Sequence, residues 1–349
     1  MKKILYICSS LERCGPTNQL LNILNNLKHD IDCHIVTLSI EPSSSMMDEF
    51  TFVKKTCISN LNFFKKIIFL ANMAKDFDII HTQGIRADII SSLLFKNSVS
   101  TLRNYPYDDY PPLYGKIKGN LMAFLHLLAL KRIKIPITVS ESNKNKLSKI
   151  TRTNFHVIYN GVELDKYKRK KKSKFNPNKL KLVFAGPLIE RKRVDRLIYI
   201  LDKVKNIDLI ILGDGPLMPA LAKNKYNNIH LLGQTNNVQE YLQESDAFIM
   251  LSASEGMPNA ALEALAVGIP CILSNIEPHV DLQSIVGEHV KVFNTDQQVI
   301  DFLSFDFINY LNHISTINNN GDDEYRFKIS AERMASDYLS IYLSIFTSH

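Results

Sequence analysis

The 349-residue chain has no tryptophan, five cysteines and no long hydrophobic run. The cysteines (Cys8, Cys14, Cys33, Cys57 and Cys271) are odd in number, and no two form a C-x-x-C pair. That argues against structural zinc and against a disulfide framework, and it suits a reducing cytosol. The longest apolar helical stretch, LMAFLHLLAL at 121–130, falls well short of the roughly 18 residues needed to span a bilayer. The N-terminal apolar run at 4–8 is shorter than the roughly 7–15 residues of a signal-peptide core and reads instead as a first buried strand. A strong charge of one sign is also lacking. Lys plus Arg number 42 against 35 Asp plus Glu, a net charge of +7. This mild excess suits anionic small molecules or an anionic membrane surface and does not argue for nucleic acid.

What the chain does have is a repeated alternation. Nearly continuous apolar runs fall at 3–10, 33–40, 78–83, 98–103, 135–142 and 156–162, with helical patterns such as 17–27 and 87–95 between them. Strands buried on both faces of a parallel sheet look like this, and their alternation with helices means βαβ units. The rhythm breaks at 165–179, where seven Lys or Arg fall among residues 166–174. It restarts with strands at 180–186, 207–213, 229–233, 247–254 and 269–275. We therefore expect an α/β fold of two doubly wound, Rossmann-like parallel-sheet domains facing across a cleft. The first spans 1–165, a basic linker 166–179 and the second 180–325. A C-terminal helix at 326–349 is expected to cross back to the first domain. The segment 110–134 predicts an apolar helix starting at Pro111 and Pro112 and flanked by Lys116, Lys118, Lys131, Arg132 and Lys134. It suits either a core helix with basic ends or a surface docked on anionic lipid.

Open α/β sheets bind ligands beyond the carboxyl ends of their strands, so those loops carry the chemistry. In SASEGMPNAALEALAVGIP (252–270), Pro258 predicts the first turn and Gly268 the end of a helix over 258–267. The amides of Gly256, Met257, Asn259 and Ala260 then stand at its positive end, which favours an anion. Glu255 precedes that end and Glu263 lies in its second turn, with seven residues between them. One carboxylate can reach the anionic end of a ligand while the other accepts hydrogen bonds from hydroxyls further along. By itself the pattern equally fits a dipole-favouring glutamate plus an exposed helical one. Gly213-Asp214-Gly215-Pro216 lacks the third glycine of a dinucleotide fingerprint, having Met218 in its place, and reads as a tight turn rather than a dehydrogenase site.

EGMPNAALEALAVGIP resembles the signature of retaining GT-B nucleotide-sugar glycosyltransferases of the family 4 kind, also described as glycosyl transferases group 1. Other loops match that family in order: GPTNQLLNIL (15–24), DIIHTQG (78–84), VSESNKNKL (139–147), HVIYNGVELDKY (156–167), AGPLIERKRVDRLI (185–198), ILGDGPL (211–217) and LLGQTNNV (231–238). The resemblance covers nearly the whole chain. It implies that Glu263 binds the donor ribose and that Glu255 faces the transferring sugar and its phosphate. It places Gly15, Gly186, Gly213, Gly233, Gln234, Gly256, Met257 and Asn259 around the donor, and His81 on the acceptor side. The chain departs from the family at Pro187, where the family has a diphosphate-binding Arg. Lys192 is retained, with Arg191 or Arg193 as the candidate second cation. Arg103 stands where the family has a donor-facing His.

The implied activity is transfer of a hexose from a nucleoside diphosphate sugar to a glycan acceptor, lipid-linked and belonging to a bacterial surface polysaccharide such as O-antigen, capsule or lipopolysaccharide. The alternatives are a nucleotide-sugar 2-epimerase of the same fold and a non-catalytic scaffold. No Asp-x-Asp pair occupies a strand-end loop, since Asp108 and Asp109 are adjacent and sit beside prolines, so no metal and no other cofactor is expected. The expected catalytic residues are Glu255, Arg103 and Lys192. The expected location is the cytoplasm, peripheral to the inner face of the plasma membrane. The expected partners are the nucleotide sugar, the acceptor and an anionic membrane surface, with no nucleic acid.

Overall fold

The apolar runs become the strands of two wholly parallel sheets. A computed structural model describes residues 1–168, 175–224, 226–319 and 324–347; residues 169–174 of the expected basic linker lie outside them. The first sheet contains β1 (Lys2–Cys8), β2 (Ile31–Thr37), β3 (Lys54–Cys57), β4 (Ile79–Gln83), β5 (Ser98–Leu102), β6 (Ile135–Thr138) and β7 (His156–Val157), in the order β3-β2-β1-β4-β5-β6-β7. The second contains β8 (Leu180–Ala185), β9 (Ile207–Leu212), β10 (Ile229–Gly233), β11 (Ala247–Met250), β12 (Cys271–Ser274) and β13 (Val290–Phe293), in the order β10-β9-β8-β11-β12-β13. Both are doubly wound orders, so each reverses direction once, at β1/β4 and at β8/β11.

The helices supply the crossovers. In the first unit they are α1 (Gly15–Leu27), α2 (Phe63–Met73), α3 (Ile85–Leu94), α4 (Pro106–Tyr114), α5 (Lys116–Leu130) and α6 (Glu141–Thr151). In the second they are α7 (Val194–Asp202), α8 (Met218–Leu221), α9 (Val238–Glu244), α10 (Asn259–Val267) and α11 (Glu277–Val286), while α12 (Asp296–Asp301), α13 (Phe307–Asn319) and α14 (Glu324–Lys328) follow the last strand. The compact units are Met1–Gly161 with Ala331–His349, and Val162–Ser330. Helix α15 (Ala331–Thr347) thus belongs to the first unit, where its Tyr338 and Tyr342 join the core formed by α1 and one face of the sheet. Residues from α2 and α3 cover the other face.

Several strands stop earlier than the apolar runs suggested. The run at 135–142 ends as strand at Thr138, because Ser140 turns out of the sheet to cap α6, its hydroxyl accepting from the Asn143 amide at 3.3 Å. The run at 247–254 ends at Met250, which frees 251–258 as a loop over the second sheet. The helix expected over 258–267 begins at Asn259, with Pro258 in extended backbone as its N-cap residue rather than in its first turn. In the segment 110–134 the prolines do not start the apolar helix. They lie inside α4, and the break falls at Gly115, whose positive φ of 83° separates α4 from α5. Gly119 lets the two helices close on each other, since a Cβ there would lie 2.5 Å from the Pro111 backbone.

Candidate functional site

At the switch point of the second sheet, the loop after β8 and the loop after β11 meet through charge. Lys192, in a short 3-10 turn after β8, puts its ammonium 2.7 Å from Glu255 Oε1. Arg191 puts Nη1 3.0 Å from Glu255 Oε2 and donates to the Ser254 carbonyl at 2.6 Å. A backbone bond from the Ala253 amide to the Arg191 carbonyl, at 2.8 Å, ties the same loops. The cluster is secluded, with Lys192 and Glu255 side chains 9% and 7% exposed. Burial would raise the Glu255 carboxyl, but Lys192 and Arg191 outweigh it and hold its pKa at about 2. Glu255 is therefore a firm carboxylate and a poor proton donor or base near neutral pH. Of the two candidate second cations, Arg191 joins the cluster. Arg193 is exposed, in left-handed backbone at the start of α7.

Three of the glycines expected around the donor, Gly186, Gly213 and Gly233, sit at the strand ends of this sheet. The Lys192 ammonium lies beside Gly186, 3.9 Å from where a Cβ would stand. Gly213, at φ 134°, leaves no room for a side chain, since a Cβ would come 1.9 Å from the Gly186 carbonyl oxygen. Its amide donates to the Gly233 carbonyl at 2.8 Å, so Gly186, Gly213 and Gly233 mark the ends of β8, β9 and β10 in succession. Gln234 beyond them is exposed. Gly256 and Met257 are buried in the loop that leads from Glu255 to Asn259, the first residue of α10. The helix closes at Gly268 in left-handed backbone.

Glu263 lies further along α10. Burial pushes its carboxyl above the usual range, opposed by a hydrogen bond from the Tyr167 hydroxyl and by the Lys166 charge. Tyr167 is itself 7% exposed. The sequence reading did not single out Tyr167, although it ends the quoted run HVIYNGVELDKY. It also missed His279, fully buried in α11, which donates Nδ1–H to the Ser274 carbonyl at 2.8 Å and whose Nε2 has no hydrogen-bond partner among the described residues. Burial lowers its pKa to about 4. No sequence signal separates such a histidine from an ordinary core one.

The first unit holds the remaining expected residues. A cavity of about 250 Å³ opens at its β1/β4 switch point, lined among others by Ser10, Pro16, Gln83, Arg103, Asp109 and Tyr110. Gly15 starts α1 beside it. Arg103 is clamped, donating Nε–H to Gln83 at 3.1 Å and Nη1–H to Asn160 at 2.7 Å, while its buried Nη2 has no partner among the described residues. Tyr110 in the cavity wall is bonded to His126 Nδ1 at 2.7 Å, and His126 Nε2 to Asp88 at 2.7 Å, a buried chain joining α4, α5 and α3. That chain was not foreseen, because His126 is hidden in the apolar stretch 121–130. His81 corrects an expectation. It is 1% exposed and does not line the cavity. Its two ring nitrogens bond Tyr342 at 2.7 Å and Thr101 at 2.9 Å, fastening α15 to the sheet. Burial, helped by the Arg103 charge, lowers its pKa to about 3 and keeps it neutral.

Two doubly wound parallel sheets in one chain, with ligand-side loops of this make-up, define the GT-B class of glycosyltransferases. Anabaena HepE, solved with UDP and glucose, aligns over 99% of this chain and 100% of its own with a TM-score of 0.79, at 14% identity. The family model for glycosyltransferase family 4 matches residues 15–166, and that for glycosyl transferases group 1 matches residues 165–296. Between them they span both units, and the chain belongs to this family of glycosyltransferases. Among its relatives, the Escherichia coli O-antigen biosynthesis glycosyltransferase WclY is 26% identical, with 99% of each chain covered. An Escherichia coli UDP-Gal:alpha-D-GlcNAc-diphosphoundecaprenol alpha-1,3-galactosyltransferase is 25% identical, over 82% of this chain and 85% of its own.

The Glu255 cluster makes a pH prediction. Its folded pKa lies below the ordinary 4.5, so its stabilisation is present above that value and is lost as pH falls towards about 2. The loss amounts to at most about 3 kcal/mol. Denaturant unfolding followed from pH 5 downwards should show that loss in the native protein and a flatter dependence in Glu255→Gln. Equal pH dependence in both would contradict the ion-pair account.

Proposed function

We propose that the protein is a retaining, metal-independent hexosyltransferase. It moves a hexose from a nucleoside diphosphate sugar to a lipid-linked glycan acceptor in bacterial surface-polysaccharide synthesis, on the cytoplasmic side of the membrane. The observation that carries this reading is the pairing of Lys192 and Arg191 with Glu255 at the β8/β11 switch point. Departure of a nucleoside diphosphate builds negative charge on phosphate, and fixed cations in a secluded site offset such charge without reorganising. With Pro187 in the family's Arg position, Arg191 is the side chain placed to join Lys192. The start of α10 adds its positive dipole end.

Both Glu255 oxygens are engaged by cations, so the carboxylate is better suited to orient Lys192 and Arg191 and to accept a sugar hydroxyl than to attack the anomeric carbon. Retention then follows from reaction on one face. The bond from C1 to the phosphate oxygen breaks, the acceptor oxygen bonds C1 on that same face, and the acceptor proton passes to the departing phosphate. The first-unit cavity is assigned to the acceptor, with Arg103 Nη2 as its anion-binding donor. The lipid-linked acceptor and the polysaccharide assignment draw on the activities by which the relatives above are named.

Glu263, held by Tyr167, is assigned to the donor ribose. Glu263→Ala should weaken binding of the bare nucleoside diphosphate by about 1.5–3 kcal/mol, read by titration calorimetry. Unchanged affinity in a folded variant removes the ribose assignment. The reaction itself is tested by proton NMR of the product formed in EDTA. The donor's anomeric configuration should be kept and the rate unaffected. An inverted product refutes retention, and loss of activity restored by Mg²⁺ or Mn²⁺ refutes metal independence.

A further inference from the structure

Helix α5 carries apolar residues on both its buried and its exposed face. One face packs inward through Ala123, Leu127 and Leu130. The other presents Ile117, Leu121, Phe124, Leu125 and Leu128, from 42% to 90% exposed, at the i, i+4, i+7, i+8, i+11 spacing of a continuous stripe. Leu113 and Tyr114, 67% and 47% exposed, extend it at the end of α4. A soluble surface rarely leaves so contiguous an apolar patch uncovered unless it serves an interaction.

Charge identifies what covers it. Residues 116–134 contain Lys116, Lys118, Lys131, Arg132 and Lys134 and no acidic residue, and all five bases are exposed, at the two ends of the stripe. An apolar stripe with cations at both ends matches an anionic bilayer surface, where the stripe enters the interface and the bases meet headgroups. A second copy of the chain fits poorly, because a two-fold contact would set this basic surface against itself. We infer that the α4–α5 hairpin docks this protein on an anionic lipid bilayer.

Docking here has a use under the proposed function, on which this part of the inference rests. Asp109 and Tyr110 line the first-unit cavity, and Leu113 follows about one turn later in the same helix. The buried chain Tyr110–His126–Asp88 holds α4 and α5 to α3, so cavity wall and stripe move as one piece. An acceptor could keep its lipid in the membrane while its glycan head enters the cavity.

The test is co-sedimentation of the full chain with phosphatidylcholine vesicles, with and without phosphatidylglycerol. The protein should bind the phosphatidylglycerol vesicles, and added salt should weaken that binding. Combined Leu121→Ser and Phe124→Ser should lower vesicle affinity at least about tenfold with unchanged melting temperature. Combined Lys118→Glu and Lys131→Glu should lower binding to the anionic vesicles selectively. A native protein that binds neither vesicle overturns the inference, as does one whose binding survives both pairs of changes. So does a solution dimer, seen by sedimentation, that the serine changes convert to monomer. Transfer to a detergent-dispersed lipid acceptor is measured alongside. Transfer without vesicle binding removes the docking surface alone, and vesicle binding without transfer removes the acceptor reading alone.

Discussion

The second unit is organised around a buried charge cluster that the chain cannot leave half-made. Glu255 comes from the loop after β11, Lys192 and Arg191 from the loop after β8, and neither loop could bury its charge without the other. Removing one partner of such a buried pair is far more damaging than the pair is stabilising. The cluster is therefore weak as a source of stability and strong as a constraint on geometry. It fixes Lys192 beside Gly186, with Arg191 on the same carboxylate, at the switch point of the sheet, where a doubly wound fold offers its ligand site.

The glycines and the shortness of the strands serve the same end. Gly213 brings its backbone against that of Gly186, closer than any side chain would allow. Strand β11 stops at Met250, which leaves a loop long enough to bring Glu255 to Lys192 and Arg191 before α10 begins at Asn259. Glu263 then sits in the second turn of the helix, gripped by Tyr167. Two carboxylates on one loop-helix junction thus differ in condition. One is driven ionised by two cations, and the other is pushed towards its neutral form by burial.

Much of this was legible in the sequence because it is local. Apolar runs buried on both faces announce parallel strands, and Pro258 and Gly268 bracket α10 within a residue. The pieces that were missed depend on tertiary contact or lack an apolar signature. Strand β3 reads KKTC at an exposed sheet edge, where cationic residues are common, and β13 is the other sheet's edge strand. Which of Arg191 and Arg193 turns inward is decided by the 3-10 turn and the left-handed Arg193 backbone. The family resemblance of DIIHTQG put His81 on the acceptor side, but within β4 one of its nitrogens bonds Tyr342 of the returning helix α15 and the other bonds Thr101 of β5. The α4–α5 break rests on a single residue at positive φ, Gly115, which leaves no mark on the apolar pattern.

The central claim is that Lys192 and Arg191 carry the charge of the leaving group. It is tested most directly by the turnover of Lys192→Ala, measured at saturating donor beside Arg193→Ala as the exposed control. The account predicts at least a tenfold loss of kcat in Lys192→Ala, about 1.4 kcal/mol, and little change in Arg193→Ala. A folded Lys192→Ala protein turning over at the native rate would contradict it.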